Sequence, residues 1–199
     1  MASATIQRVH IPLGMQGSYF YPITAKPTGA HPTYGAPLDM GAAVKGYLSI
    51  TSLSGGVYGD DMEQLHFDNF VSAQLDAETT CSDLSNNAVV FGHTYTEGKE
   101  TSNINDTPPD GGYGFVEPIL RKDKTLVYRA TFLYLVSAKL DSEKTEADTR
   151  KGDFNPKNNA ISYNVNADEK GDWRDRQEFD TYAKAKAFLD TCAGQNQAS

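Results

Sequence analysis

From Leu126 to Leu140 every second residue is apolar: Leu126, Tyr128, Ala130, Phe132, Tyr134, Val136, Ala138 and Leu140. A period of two marks a β-strand with one buried face. The run is long beside the roughly 5–6 residues of an ordinary strand. The other parity carries Thr125, Arg129, Thr131, Ser137 and Lys139, but also Val127, Leu133 and Leu135. Both faces therefore need cover, from a second sheet, a helix or a neighbouring subunit. Leu133 and Leu135 are the residues expected to pack on a subunit or on a flanking helix.

Weaker copies of this pattern recur along the chain. Val44, Gly46, Leu48 and Ile50 alternate with Lys45, Tyr47, Ser49 and Thr51, and Phe67, Asn69, Val71, Ala73 and Leu75 alternate with Asp68, Phe70, Ser72, Gln74 and Asp76. With Ser54-Gly55-Gly56 ending the first strand, the two predict a hairpin with a long polar tip over 57–64. Further strands are expected at Thr5–Ile11, His93–Tyr95, Phe115–Arg121, Ile161–Val165 and Trp173–Phe179. Two helices are expected. One runs from Leu84 to Phe91, capped by Ser82 or Asp83 and stopped by Gly92. The other follows Asp180 or Thr181, carries Ala185, Phe188, Leu189 and Cys192 at core spacing, and ends at Gly194. The stretch Gly14 to Gly41, with Pro22, Pro27, Pro32 and Pro37, reads as an arm or long loop. The expected organisation is residues 1–42 as an N-terminal strand and Pro/Gly/Tyr-rich arm, 43–192 as one β domain, and 193–199 as a loose tail.

Composition narrows the function classes. With 39% hydrophobic residues, 17 Gly and 9 Pro in 199 residues, the chain suits a folded domain of many short strands and turns. Two widely spaced cysteines, Cys81 and Cys192, make no disulfide framework and point to a reducing compartment. The first residues lack the apolar stretch of a signal peptide. The longest apolar run, Phe132 to Val136, is far short of a membrane span, so a soluble protein made in a cytoplasm is expected. The net charge of −8 is unevenly spread: residues 55–110 hold 11 of the 26 acids against one base, Lys99, a local net of −10. Such a segment does not grip a phosphate backbone, although it could face one and repel it.

Motifs for chemistry are sparse. Tyr58-Gly-Asp-Asp61 resembles the paired carboxylates that hold Mg²⁺ for phosphoryl transfer. It lacks a third carboxylate at a readable spacing and sits among acids rather than phosphate-binding bases. His10, His31, His66 and His93 show no metal-site spacing, and no nucleophile elbow, dinucleotide fingerprint or P-loop occurs. No catalytic residue, metal ligand or cofactor is expected.

One ordered series of short motifs does point to a family. It comprises Val57-Tyr-Gly-Asp-Asp61 at a hairpin, Asp83-Leu84 opening a short helix, Phe91-Gly-His-Thr-Tyr95 closing it, Gly114-Phe115, then Val127-Tyr-Arg-Ala130 after a basic turn. Thr149-Arg-Lys-Gly-Asp153 and Phe179-Asp-Thr181 follow. Over roughly residues 41–192 the chain resembles the major tail tube proteins of long-tailed bacteriophages of Gram-positive hosts; Gly14 to Asp39 departs from that pattern. The resemblance implies a mainly β fold, a β-sandwich or barrel-like core with a short flanking helix and a C-terminal helix. It implies hexameric rings that stack into a tube through which DNA passes without specific binding. It also implies a non-enzyme without cofactor, assembled in the host cytoplasm into the virion tail. The implied partners are further copies of itself and the tape-measure, terminator and initiator or distal tail proteins. On this reading Tyr58, Asp60, Asp61 and Glu63 form an inter-ring loop, and Asp68 and Asp76, expected to share a face opposite Val71 and Leu75, line the lumen. The competing expectations are a soluble β-sandwich binding module, using the N-terminal tyrosines to stack on carbohydrate, and a Mg²⁺-dependent phosphoryl-transfer enzyme built on Asp60 and Asp61.

Overall fold

The computed structural model describes residues 10–59, 62–80, 83–143 and 158–195. In chain order the strands are β1 (His10–Pro12), β2 (Gln16–Ala25), β3 (Thr33–Tyr34), β4 (Leu38–Asp39), β5 (Ala43–Gly59) and β6 (Met62–Thr79). Helix α1 (Leu84–Phe91) precedes β7 (Thr94–Thr96), β8 (Lys99–Thr101), β9 (Asp110–Arg121) and β10 (Leu126–Ala138). A 3-10 turn at Leu140–Ser142 then leads to β11 (Asn159–Asn166), β12 (Arg174–Phe179) and helix α2 (Tyr182–Cys192). The fold is mainly β: a large antiparallel sheet with two short helices, as the sequence predicts.

The main sheet has ten strands. Its path is β3-β2-β9-β10-β11-β6-β5, with β4 beside β2, β1 beside β9 and β12 beside β10. β11 and β12 lie end to end along one side of β10, against its residues 135–138 and 128–133 respectively. The sheet curls tightly. β2 and β11 are three strand spacings apart, about 14 Å on a flat sheet, yet the rings of Phe20 and Tyr163 are 6.2 Å apart. The concave face closes on a core of Phe20, Leu75, Tyr113, Leu133, Val136 and Tyr163, with Val90 and Phe91 of α1 packed into it. The convex face carries Tyr21, Val116, Ala130, Phe132 and Tyr134, covered by Ala185 and Leu189 of α2.

Local chemistry explains the helices. The Asp83 carboxylate caps α1 by accepting from the Ser85 amide, and Gly92 stops the helix at φ 78°. α2 is capped by the Thr181 hydroxyl, which accepts from the Lys184 amide. The stripe of Ala185 and Leu189 is fully buried, as its spacing requires.

Three readings of the sequence need correction. The stretch Gly14 to Gly41 is not an arm: it contains β2, which pairs along β9 from Gln16↔Val116 to Pro22↔Gly111. Ser18, Phe20 and Tyr21 are fully buried and Met40 nearly so. The long strand β10 does not keep one parity. Between Leu133 and Val136 it shifts register against β9, so Leu133 and Val136 share the concave core while Phe132 and Tyr134 face α2. The tail beyond α2 is docked at its start, where the Gln195 amide donates to the carbonyl oxygens of Tyr34 at 3.0 Å and Gly35 at 2.9 Å. The expected strand at Thr5–Ile11 is seen as His10–Pro12, and residues 1–9 lie outside the described part.

Candidate assembly surface

The β5–β6 hairpin pairs from Ala43↔Thr79 to Gly59↔Met62. Its neighbour β11 pairs only the stretch Ala73 to Thr79 of β6. The distal part therefore runs past the end of β11 as a two-stranded ribbon. Ser54-Gly55-Gly56 does not end the strand. Gly55 lies directly opposite Phe67, and a Cβ there would meet the Phe67 ring at 2.6 Å; an aromatic ring laid over a glycine holds the ladder together. Residues 57–59 and 62–64 are consequently strand rather than part of a loose tip. The backbones of Tyr58 and Glu63 are direct partners, while Asp60 and Asp61 lie outside the described residues.

A bulge resets the hairpin's faces. Thr51↔Ser72 is followed by Ser52↔Phe70, so Val71 is an extra residue on β6. Opposed residues share a face. Proximal to the bulge, Leu48–Leu75 and Ile50–Ala73 lie on the concave side, and Tyr47–Asp76, Ser49–Gln74 and Thr51–Ser72 on the other. β5 alternates without interruption here, so Ser52–Phe70 and Ser54–Asp68 fall on the concave side. Phe70 accordingly stacks on Trp173 at 4.5 Å, with the Arg174 guanidinium 4.2 Å from the Trp173 ring centre. Asp68 and Asp76 thus lie on opposite faces, not on the shared face expected from simple alternation.

The ribbon is rich in uncovered apolar side chains. Leu53 is 59% exposed, Val71 54% and Phe67 39%, with Met62 at 66% near the tip; at and below the ribbon's base, where β11 still flanks β6, Ile50 is 52% exposed and Tyr47 61%. They lie on both faces, and within the alternating row Val44, Gly46, Leu48, Ile50 only Leu48 packs against the core. Isolated exposed apolar residues are ordinary on a monomer; here several fall close together along one hairpin. Sequence reading identified the hairpin but not these residues as its content. The available signal was Tyr47 and Leu53 on the otherwise polar parity of β5.

Asp76 sits in a polar network on the face away from the core. Its carboxylate accepts from Ser162 at 2.5 Å and from Gln74 at 2.8 Å, and Lys139 donates to Gln74 in turn. The Ser162 hydroxyl does most to hold the Asp76 carboxyl below the usual carboxylate range, with Gln74, Lys139 and Lys45 acting in the same direction. Of the two leucines marked on the long strand, Leu133 is fully buried within the chain. Leu135 is half-buried and borders a shallow hollow with Lys26, Asp168 and Lys170. The N-terminal tyrosines do not form an exposed stacking platform: Tyr21 is fully buried, Tyr34 is 7% exposed, and their hydroxyls donate to Asp190 and to the Tyr134 carbonyl. Among the described residues no helix is long and apolar enough to cross a membrane. Searched against family models and against curated proteins, the sequence matches none.

Proposed function

We propose that this chain is a structural virion protein, the major tail protein that forms rings stacked into the tail tube of a long-tailed phage. The observation that carries the reading is the β5–β6 ribbon, which projects beyond the sheet with apolar side chains exposed on both faces. A lone two-stranded ribbon is marginal in water, and this one gains cover if further copies of the chain pack on it. The ordered motifs of the sequence name the kind of assembly. The partners are then other copies of the chain and the tape-measure, terminator and initiator or distal proteins of the same tail. The chain works by assembly, without turnover or cofactor, and DNA passes through the tube without specific contacts.

The test is the size and shape of the purified protein. Negative-stain microscopy and light scattering should reveal rings or tubes, alone or after addition of tail initiator complex. Particles near 21.7 kDa under both conditions would overturn the reading. A metal-dependent nucleotidyl or hydrolytic activity lost on replacing Asp60 and Asp61 with Ala would replace it with the phosphoryl-transfer alternative.

A further inference from the structure

We propose that His93, Glu100 and Glu143 bind a divalent transition-metal ion, with Zn²⁺ the best fit. The site shares no residue with the β5–β6 hairpin, and the proposal does not depend on the tube reading. Among the described residues, this group brings three ligand atoms within 4.8 Å of one another, one from each side chain.

Local structure fixes all three residues. α1 closes with Gly92 at φ 78°, and the amide of His93 donates to the Ala88 carbonyl at 2.8 Å. This is the six-to-one bond of a glycine-terminated helix, and it places His93 directly after the helix end. Its ring lies against that of Phe91, with centroids 5.9 Å apart. The β7–β8 hairpin turns through Glu97 and Gly98, at φ 50° and 84°. Two positive φ values in a two-residue loop fix the register, which sets Glu100 opposite Tyr95. Glu143 follows the 3-10 turn after β10, where its amide donates to the Leu140 carbonyl at 3.2 Å.

The chemistry follows from burial and distance. The His93 side chain is 2% exposed, Glu100 15% and Glu143 39%. His93 Nδ1 is 2.8 Å from Glu100, and His93 Nε2 is 3.9 Å from Glu143. One imidazole thus stands between two carboxylates drawn from separate chain segments. The imidazole offers one ring nitrogen to the ion, and Glu100 and Glu143 each offer a carboxylate oxygen. Ligand atoms around a tetrahedral Zn²⁺ sit about 3.3 Å apart, given bonds of about 2.0–2.1 Å. Closing the widest gap takes side-chain movement of about 1–2 Å, from the more exposed Glu143 side. One nitrogen with carboxylate oxygens favours Zn²⁺, Co²⁺, Ni²⁺ or Mn²⁺ over Ca²⁺ and Mg²⁺, which take oxygen alone. An ion there would tie the end of α1, the β7–β8 hairpin and the turn after β10 together, so its binding energy would appear as folding stability.

The experiment uses the purified chain treated with EDTA and then dialysed. Adding ZnCl₂ to about 100 times its Kd should raise the thermal midpoint by about 5–10 °C, reversibly with EDTA, while MgCl₂ and CaCl₂ leave it unchanged. CoCl₂ should give a visible absorption band that Zn²⁺ displaces. Glu143→Gln should leave the metal-free midpoint within about 2 °C and weaken Zn²⁺ affinity at least tenfold, and His93→Gln should abolish the cobalt band. No stabilisation and no cobalt band in the unaltered protein would overturn the proposal. So would stabilisation of equal size in Glu143→Gln, which would place the ion elsewhere. A Glu143→Gln variant that loses stability while neither protein responds to Zn²⁺ would mark a structural ion pair and equally overturn it.

Discussion

At the scale of single residues, Leu133 and Leu135 illustrate what alternation alone reveals. The sequence marks both as apolar on a polar parity. The register shift in β10 then separates them: Leu133 joins the concave core at 0% exposure, while Leu135 remains half-buried at its edge. Leu133→Asp should leave the protein insoluble, since an unpaired buried carboxylate has no compensating partner, and Leu133→Ala should cost about 2–5 kcal/mol of stability by urea unfolding. Leu135→Asp should fold, with Lys26 and Lys170 beside the same hollow; a soluble, native Leu133→Asp would contradict the buried placement. Asp76 makes a second prediction, with a definite sign. Its carboxyl is held below the usual aspartate range in the folded state, chiefly by the Ser162 hydroxyl. Its contribution is therefore complete above that range and is lost as pH falls through the lower, folded-state value. The stability gap between the unaltered protein and Asp76→Asn, measured by urea unfolding, should be widest near neutrality and narrow below about pH 4. A gap that widens in acid would contradict the network around Ser162.

At the scale of elements, the legible parts were those whose signal is local. The caps of α1 and α2, the stop at Gly92 and the core stripe of α2 follow from a few adjacent residues, and the structure has them where the sequence puts them. β2 was illegible because it is buried on both faces: Phe20 enters one core and Tyr21 the other, which erases alternation, and Pro22 within the run argues against a strand. The hairpin's length was hidden because Gly55-Gly56 has the composition of a turn, and only the distant Phe67 makes it strand. Its facing was hidden by the bulge at Val71, since one extra residue reverses every side chain beyond it. The ribbon nevertheless yields a clean test. Leu53 and Asn69 are direct partners, so residues 54–68 can be replaced by Asn-Gly with the register kept. This variant should retain its far-UV dichroism and thermal transition, because the deleted ribbon lies beyond the reach of β11, yet fail to form tubes. Tubes of normal length from it would remove the ribbon from the assembly mechanism.

At the scale of the molecule, the uneven charge acquires a direction once the faces are known. In the proposed tube the bore needs a polar face that the chain leaves uncovered. The face of β5, β6 and β11 away from the core qualifies where β11 flanks β6, with Ser49, Gln74, Asp76 and Ser162 around the exposed Tyr47. Asp68, on the other face and on the line of Phe70 and Trp173, belongs with the packing side. Simple alternation groups the two acids; the bulge separates them, so in the proposed tube only one of the two faces the bore, and the uncovered face carries Asp76. DNA carries one negative charge per about 1.7 Å of axis, so a net positive bore would hold it at every ring. Lys45 and Lys139 already lie near Asp76. With Glu78 bordering the same hollow the two lysines and two acids balance, so Asp76→Lys would tip this patch to net positive in every subunit, whereas Asp68→Lys would change charge where DNA does not pass in the proposed tube. Charges act only within about 8 Å at physiological salt, which sharpens the contrast between the faces. In phage that still build tails, Asp76→Lys should slow DNA ejection, most at low salt and less as salt rises, and Asp68→Lys should leave ejection unchanged at every salt concentration. Equal ejection rates for Asp76→Lys and the parent at low salt, with the lysine confirmed in assembled tails, would place this face on the outside of the tube. Slowing by Asp68→Lys alone would turn the sheet over and make the concave side of the ribbon the wall of the channel.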